Sequence, residues 1–307
     1  MSLIQRYEGN PILSPIASHA WESLMVYNCA AIYVGGKVHI LYRARPAPDG
    51  VSRLGYVSSF DGYRIDGRLD SPVFRADPDQ ELESLGCEDP RLTQIEDRIY
   101  MCYTALGNVP RMHEMVTVAQ IGMTSISVED FLAHRWNWSK RTYPFPGVHS
   151  KNACLFPKKI GGRYAMLHRI PPYIWIAYSD DLGKWHDTRI LMGPREGWEY
   201  FKVGAGPPPI KTEKGWLLVY HAMDDRKCYR LGAALLDLED PTVVLKRCRQ
   251  PLLEPEADYE KNGAVRNVVF SCGAVALNGQ LIVYYGAADT VIGAASGSLA
   301  DIVDCEE

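Results

Sequence analysis

Gly36-Lys-Val-His-Ile-Leu-Tyr42 reads as a turn glycine, a short apolar strand and a ring six residues beyond the turn. The same phrase returns as Asp97-Arg-Ile-Tyr-Met-Cys-Tyr103, Gly162-Arg-Tyr-Ala-Met-Leu-His168, Gly215-Trp-Leu-Leu-Val-Tyr-His221 and Gly279-Gln-Leu-Ile-Val-Tyr-Tyr285. Short apolar runs bounded by turn residues are strand signals. Their spacing, roughly 50–65 residues, approaches that of β-propeller blades with several short strands each. The fold expected is all-β, a five-bladed β-propeller covering residues 1–307 as one domain. Equivalent strands of a propeller converge on one axis. Strands near 38–43, 98–104, 163–169, 216–222 and 280–286 are therefore expected innermost, with Tyr42, Tyr103, His168, His221 and Tyr285 at matching phase around one pocket.

The flanking sequence supports blades. Ala30-Ala-Ile-Tyr-Val34 leads into Gly35-Gly36, and Ser52-Arg-Leu-Gly-Tyr-Val-Ser58 follows as a third strand before the Asp61-Gly62 turn. Tyr173-Ile-Trp-Ile-Ala-Tyr178 and Ser179-Asp-Asp-Leu-Gly183 repeat that strand and turn. Aspartate and glycine suit such turns because they tolerate positive φ. Helical signals are scarce, and no low-complexity linker divides the chain.

The formal net charge of -4 offers no electrostatic grip on nucleic acid or a membrane surface. No apolar run approaches the roughly 20 residues that span a bilayer, and the first ten residues lack a signal-peptide core. The eight cysteines form no Cys-x-x-Cys pair. They read as free thiols packed like small hydrophobes, which points to a reducing cytoplasm.

Three groups of residues could carry chemistry. Asp89, in Gly86-Cys-Glu-Asp-Pro-Arg91, is biased towards an extended backbone by Pro90. It could deliver a proton to a glycosidic oxygen or simply close a turn, with Glu88 and Arg91 as a local ion pair. Lys151, Asn152, Arg169, Lys202 and His221 open inner segments or end the repeated strands of the third and fourth units. If those blades are adjacent, the five offer hydrogen-bond donors suited to a tetrahedral oxyanion. With no P-loop or Gly-x-Gly-x-x-Gly, such a site suits inorganic phosphate or sulfate rather than a nucleotide. Asn28, Arg43, Tyr103 and Asp289 could hold a sugar, or could pack and pair structurally.

At these residues the chain resembles glycoside hydrolase family 130, the β-mannoside phosphorylases and their relatives. The resemblance runs through Leu41-Tyr-Arg43, Glu88-Asp-Pro-Arg91, Lys151-Asn-Ala-Cys-Leu-Phe-Pro-Lys158, Lys202-Val-Gly-Ala-Gly-Pro207, Asn267-Val-Val-Phe270 and Tyr284-Tyr-Gly-Ala-Ala-Asp-Thr290. It implies a five-bladed propeller and inverting phosphorolysis of a β-mannosidic bond, giving α-mannose 1-phosphate. It implies Asp89 as the acid, acting through a sugar hydroxyl. Lys151, Asn152, Arg169, Lys202 and His221 fall at the family's phosphate positions, and Asn28, Arg43, Tyr103 and Asp289 at its mannosyl contacts. No cofactor or metal is implied; inorganic phosphate is the co-substrate and a β-mannoside oligosaccharide the partner. Lys151 stands where many members carry Arg, exchanging a bidentate contact for a point charge. The long N-terminal extension of some phosphorylases is missing, which leaves a homo-oligomer open. Two rival readings remain. A hydrolase of this fold would need a carboxylate base, with Glu196 and Glu199 as candidates. A non-catalytic sugar-binding propeller would need neither acid nor oxyanion cluster.

Overall fold

A computed structural model describes residues 3–46, 50–111 and 114–306. Strand β1 (Gln5–Arg6) comes first. Blade 1 holds β2 (Met25–Val34), β3 (Lys37–Arg45), β4 (Arg53–Ser59) and β5 (Gly67–Arg68). Blade 2 holds β6 (Gly86–Ile95), β7 (Arg98–Arg111) and β8 (Glu114–Ser127). Blade 3 holds β9 (Lys151–Leu155), β10 (Tyr164–Ile170), β11 (Tyr173–Ser179) and β12 (His186–Met192). Blade 4 holds β13 (Lys202–Ala205), β14 (Ile210–Lys211), β15 (Trp216–Met223), β16 (Tyr229–Leu236) and β17 (Val244–Arg247). Blade 5 holds β18 (Val269–Leu277), β19 (Gln280–Ala287) and β20 (Val291–Ser298). Neighbouring strands within each sheet are antiparallel, and β1 pairs with β20. The start of the chain thus supplies the outer strand of the last blade and closes a five-bladed β-propeller.

The innermost strands are β2, β6, β9, β13 and β18. β2 packs on both β18 and β6, β6 on β9, and β9 on β13. The repeated turn-and-ring strands are β3, β7, β10, β15 and β19, second in each blade rather than innermost. Three of their rings do not line the axis either. Tyr42, Tyr103 and Tyr285 lie in the apolar packing between blades.

A polar latch explains why those rings recur. Tyr42 faces Gly55 across the ladder, Tyr103 faces Gly122, Tyr220 faces Gly232 and Tyr285 faces Gly293. A Cβ at any of these glycines would come within 2.3–2.6 Å of the ring, so only glycine lets the tyrosine cross its neighbour strand. Each hydroxyl then donates to a buried carboxylate: Glu22 (2.6 Å), Glu83, Glu199 (2.6 Å) and Glu260 (2.8 Å). Each carboxylate also pairs with an arginine at the blade's outer edge, namely Arg68, Arg141, Arg247 and Arg6. A buried carboxylate is tolerable only when paired and hydrogen-bonded in this way. Blade 3 departs from the pattern. His168 faces Trp175, Ser150 Oγ lies 3.0 Å from His168 Nδ1, and Phe145 stacks on the imidazole.

In blade 4 the latch tyrosine is Tyr220, so His221 lies one residue out of phase with Tyr42. Side chains alternate faces along a strand, and a one-residue shift turns His221 to the opposite face. The cysteine reading also changes. Cys248 and Cys305 form a disulfide with Cα atoms 5.6 Å apart, tying the end of β17 to the segment after the last helix, Leu299–Val303. Cys29, Cys87, Cys102, Cys154 and Cys272 are buried free thiols. Among the described residues no helix is long and apolar enough to cross a membrane.

Glu260 holds ring closure together. It accepts from Arg6 of β1 (2.8 and 2.9 Å), from Tyr285 and from the backbone amides of Glu256 (2.8 Å) and Ala257 (3.0 Å). Glu260→Ala leaves the buried Tyr285 hydroxyl and two backbone amides without their acceptor and removes one of the partners of half-buried Arg6, and should destabilise the fold by about 1–3 kcal/mol. Urea unfolding measures this; a midpoint matching the unmodified protein would show that the latch is dispensable.

Candidate active site at the propeller axis

Four inner strands carry a bulge, and in three of them, β2, β6 and β9, the bulge holds a polar residue of the site. Asn28 (φ 44°), Asp89 (φ 51°) and Asn152 (φ 56°) sit in the left-handed region. The ladder registers shift at the same places, between Tyr27 and Ala30, between Glu88 and Arg91, and where β9 meets Leu167 and Arg169. Asn and Asp enter this region more readily than other non-glycine residues, and a bulge re-aims the side chain it contains. The second strands add the residue after each latch ring: Arg43, Arg169 and His221. Glycine makes room beside them. A Cβ on Gly204 would come 2.4 Å from His221 Nε2 and 3.2 Å from Asn152 Oδ1, and one on Gly286 would come 2.2 Å from Asn28 Oδ1.

The acid side of the site is a hydrogen-bonded carboxylate pair. Asn28 Nδ2 donates to Asp89 Oδ1 (3.0 Å), and Arg43 Nη1 donates to the same oxygen (3.1 Å). Arg43 Nη2 also pairs with Glu88, while Arg43 Nε donates to Ser52 Oγ (2.9 Å) and the guanidinium lies over the Tyr27 ring. Lys151 Nζ stands 3.6 Å from Glu88. Burial alone would raise Asp89, but Arg43, then Lys151 and Arg91, with the Asn28 amide, outweigh it and hold the carboxyl below its ordinary range. Asp289 goes the other way: burial and the nearby Asp89 push it to about 6 against the pull of Arg43.

The cationic side is electrostatically unsatisfied. Arg169 is buried, and its Nε has no hydrogen-bond partner. His221 is 1% exposed with both ring nitrogens unpartnered, and Asn152 Oδ1 and Asn28 Oδ1 are unpartnered as well. Buried polar atoms in folded proteins are otherwise almost always paired. Burial, then Arg169, Arg91 and Lys202, depress the His221 imidazole well below its usual value, so it is neutral. Burial and Arg169 lower Lys202 to about 8. Charges crowded without counterions in this way are what an incoming anion would relieve.

The structure gathers most of the sequence-expected residues. Asn28, Arg43 and Asp89 share hydrogen bonds, Asp289 feels the charge of both Asp89 and Arg43, and Arg169, Lys202 and His221 act on one another. Lys151 reaches Glu88, and Asn152 lies beside His221 across Gly204. Tyr103 stands apart: it is 2% exposed, its hydroxyl is committed to Glu83, and Phe74 packs on its ring. Glu199 belongs to the blade 4 latch, and Glu196 is exposed on the segment before blade 4. Glu88 and Arg91 do not form the local ion pair their spacing suggested. Glu88 serves Arg43 and Lys151, whereas Arg91 bonds three backbone carbonyls. Tyr27 lies under the Arg43 guanidinium and Tyr229 under the Lys202 ammonium, two ring contacts that no local motif in the sequence announces.

A family described as beta-1,4-mannooligosaccharide phosphorylase matches residues 5–307. The chain belongs to glycoside hydrolase family 130. It is 45% identical to a 1,2-beta-oligomannan phosphorylase of Thermoanaerobacter sp., over 98% of this chain and 99% of that one. It superposes on the β-1,2-mannobiose phosphorylase of Listeria innocua, solved with β-1,2-mannobiose, with a TM-score of 0.83 and 30% identity, covering 97% and 98% of the two chains. A third neighbour was described with family 130 hydrolases that target beta-1,2 mannosidic linkages in Candida mannan; its TM-score is 0.85 at 28% identity, covering 100% of this chain and 96% of that one.

The lowered Lys202 ammonium predicts a pH dependence for any anion that this cluster takes up. It is charged below about 8 and neutral above, so phosphate affinity of the free protein should fall as pH rises through that value. Phosphate KM measured from pH 6.5 to 9.5 should show the loss, and Lys202→Arg should move it to higher pH. A phosphate KM that stays flat across the range would remove Lys202 from the anion site.

Proposed function

We propose that this β-mannoside phosphorylase works by inverting phosphorolysis, with Asp89 as general acid and phosphate held by Lys151, Asn152, Arg169, Lys202 and His221. The observation that carries the reading is the opposition of a hydrogen-bonded carboxyl and an uncompensated cationic cluster across one axis. The sugar is assigned to Asn28, Arg43 and Asp289. A phosphate oxygen attacks the anomeric carbon from the face away from the departing sugar. The carbon–oxygen bond to the acceptor breaks as the carbon–oxygen bond to phosphate forms. The proton lost by Asp89 ends on the departing oxygen, relayed through a sugar hydroxyl, and the β-mannoside becomes α-mannose 1-phosphate.

The electrostatics supply a sequence of events. In the free protein Asp89 is held ionised by Arg43, Lys151 and Arg91. An arriving phosphate brings negative charge to Lys151, the one cation the two groups share, weakens its hold on Asp89 and moves Asp89 towards its acid form. The acid is thus readied by the nucleophile. Phosphate already carries charge and needs no base, whereas water would. Glu199 is locked to Tyr220 and Arg247, so it is not free to serve as that base.

The relatives named for 1,2-linked substrates favour a β-1,2-mannosidic bond and a mannose or oligomannoside acceptor. Incubating β-1,2- and β-1,4-mannobiose with and without phosphate tests this. Phosphate-dependent α-mannose 1-phosphate from the β-1,2 disaccharide is expected. Free mannose released without phosphate would make the chain a hydrolase.

Two variants test the roles. Asp89→Asn should lower kcat by roughly 100-fold or more, with a smaller loss on substrates whose leaving groups need little protonation. Arg169→Ala should weaken apparent phosphate affinity by roughly 10- to 100-fold, about 1.5–3 kcal/mol, with a much smaller change for the mannoside.

A further inference from the structure

Arg91 is the largest charged side chain sealed inside the protein, at 1% exposure. It makes no ion pair among the described residues. Its donors go instead to backbone carbonyls: Nη1 to Asp89 O (2.9 Å), Nε to Gly206 O (2.8 Å) and Nη2 to Ala205 O (3.1 Å). The first carbonyl belongs to the residue in the β6 bulge. The other two lie at and just past the end of β13, the strand that begins with Lys202 and holds Gly204 against His221. One planar guanidinium therefore spans the axis from the acid's backbone in blade 2 to the anion-side backbone in blade 4. A charged group buried this deeply is costly unless its bonds are fully made, and here they are spent on two pieces of backbone that each carry one half of the site.

We propose that Arg91 is a positioning residue that holds the Asp89 bulge at a fixed separation from the phosphate-binding strand, so that proton donor and nucleophile meet the substrate in register. The proposal rests on Asp89 being the acid. The backbone geometry makes the requirement concrete. Asp89 has φ 51°, a left-handed conformation that Asp enters more readily than most L residues but still at a cost its surroundings must offset. The β6–β7 ladder is broken at Asp89, between Glu88 and Arg91, so the strand pairing does not hold that residue. The carbonyl bond from Arg91 supplies the missing constraint. Lysine could keep the charge but cannot reach three carbonyls in a plane, because its ammonium is a compact point donor. Errors of about an ångström in such alignment are enough to slow catalysis by about 100-fold.

Arg91 also adds charge near the acid. The groups facing Asp89 are Tyr27 and Asn28 from β2, Arg43 from β3, Glu88 and Arg91 from β6, Lys151 from β9, Arg169 from β10, Tyr229 from β16, Cys272 from β18, and Asp289 beyond β19. Removing Arg91 takes away a cation that favours the ionised carboxyl. The acid then keeps its proton to higher pH, and the alkaline limb of kcat/KM for the mannoside, measured at saturating phosphate, moves up. A group that only filled space would not shift that limb.

The experiment compares Arg91→Gln, Arg91→Lys, Asp89→Asn and the Asp89→Asn/Arg91→Gln pair on a β-mannobiose with phosphate, each checked for folding by circular dichroism. Arg91→Gln is expected to lower kcat by roughly 100-fold with mannoside KM changed less than about threefold, and to move the alkaline limb upward. Arg91→Lys, which retains the charge and keeps the question open should the glutamine variant fold poorly, is expected to lose kcat with the limb unmoved. Adding Arg91→Gln to Asp89→Asn should cost little further, since one residue acts through the other. Full turnover by either Arg91 variant beside an impaired Asp89→Asn would overturn this proposal alone. Multiplicative losses in the double variant would also overturn it. Normal turnover by Asp89→Asn would overturn the acid assignment, and this proposal with it.

Discussion

A buried carboxylate in each of four blades organises this propeller. Glu22, Glu83, Glu199 and Glu260 are each at most 1% exposed, and each joins a tyrosine of the second strand to an arginine at the outer edge. Taking such a group from water costs several kcal/mol unless every lone pair is used. The arrangement is therefore nearly all-or-none: the sheet must be in register, the glycine must face the ring, and the outer strand must be home before the carboxylate is satisfied. Apolar packing between blades tolerates small shifts, but this polar latch does not. In blade 5 the arginine comes from β1, so the same interaction that fixes register also closes the ring.

Register then decides what reaches the axis. Because strand side chains alternate, a latch ring facing the inter-blade core forces the next residue to the other face. That residue is Arg43 in blade 1, Arg169 in blade 3 and His221 in blade 4. The site is thus a by-product of the latch with one extra element, the bulges at Asn28, Asp89 and Asn152 that add inner-strand side chains. Stability and chemistry occupy opposite faces of the same strands. This separation lets the axis hold unpartnered polar atoms and like charges that would ruin a core.

Much of this was legible in the sequence, and the failures have physical causes. The turn-and-ring phrase reports blade number because turns and apolar runs are local. It does not report radial order, since second and innermost strands are equally apolar and equally short. The phase error at His221 arose because Tyr220 and His221 are both rings, and only the cross-strand glycine, Gly232, says which one is the latch. Glu22, Glu83 and Glu260 each look like a surface charge in the sequence, and Glu199 like a free carboxylate base. Their signal is nonlocal: an apolar residue then Glu, as in Trp21-Glu22 or Trp198-Glu199, 20 to 25 residues before the tyrosine. Tyr103 was drawn to the sugar by its phrase, though the same phrase marks it as a latch. The Cys248–Cys305 bond joins residues 57 apart, beyond any spacing rule.

The charge layout follows from where each blade ends its latch. Blades 1 and 2 meet at Arg43, which lies between Glu88 and Asp89 and neutralises most of that side. Blades 3 and 4 bring Arg169, Lys202 and neutral His221 together with no carboxylate in hydrogen-bonding contact among the described residues. Blade 3 replaces the carboxylate of its latch with Ser150 and His168, whose imidazole is pushed by burial to about 4 and so carries no charge near neutral pH. Ser150 precedes Lys151 and donates to the carbonyl of Arg169 (3.1 Å), so a carboxylate in its place would sit next to both cations in the chain. A neutral latch there preserves their positive potential. The one blade that breaks the repeat is the blade that contributes Lys151, Asn152 and Arg169, and its latch adds no net charge beside them.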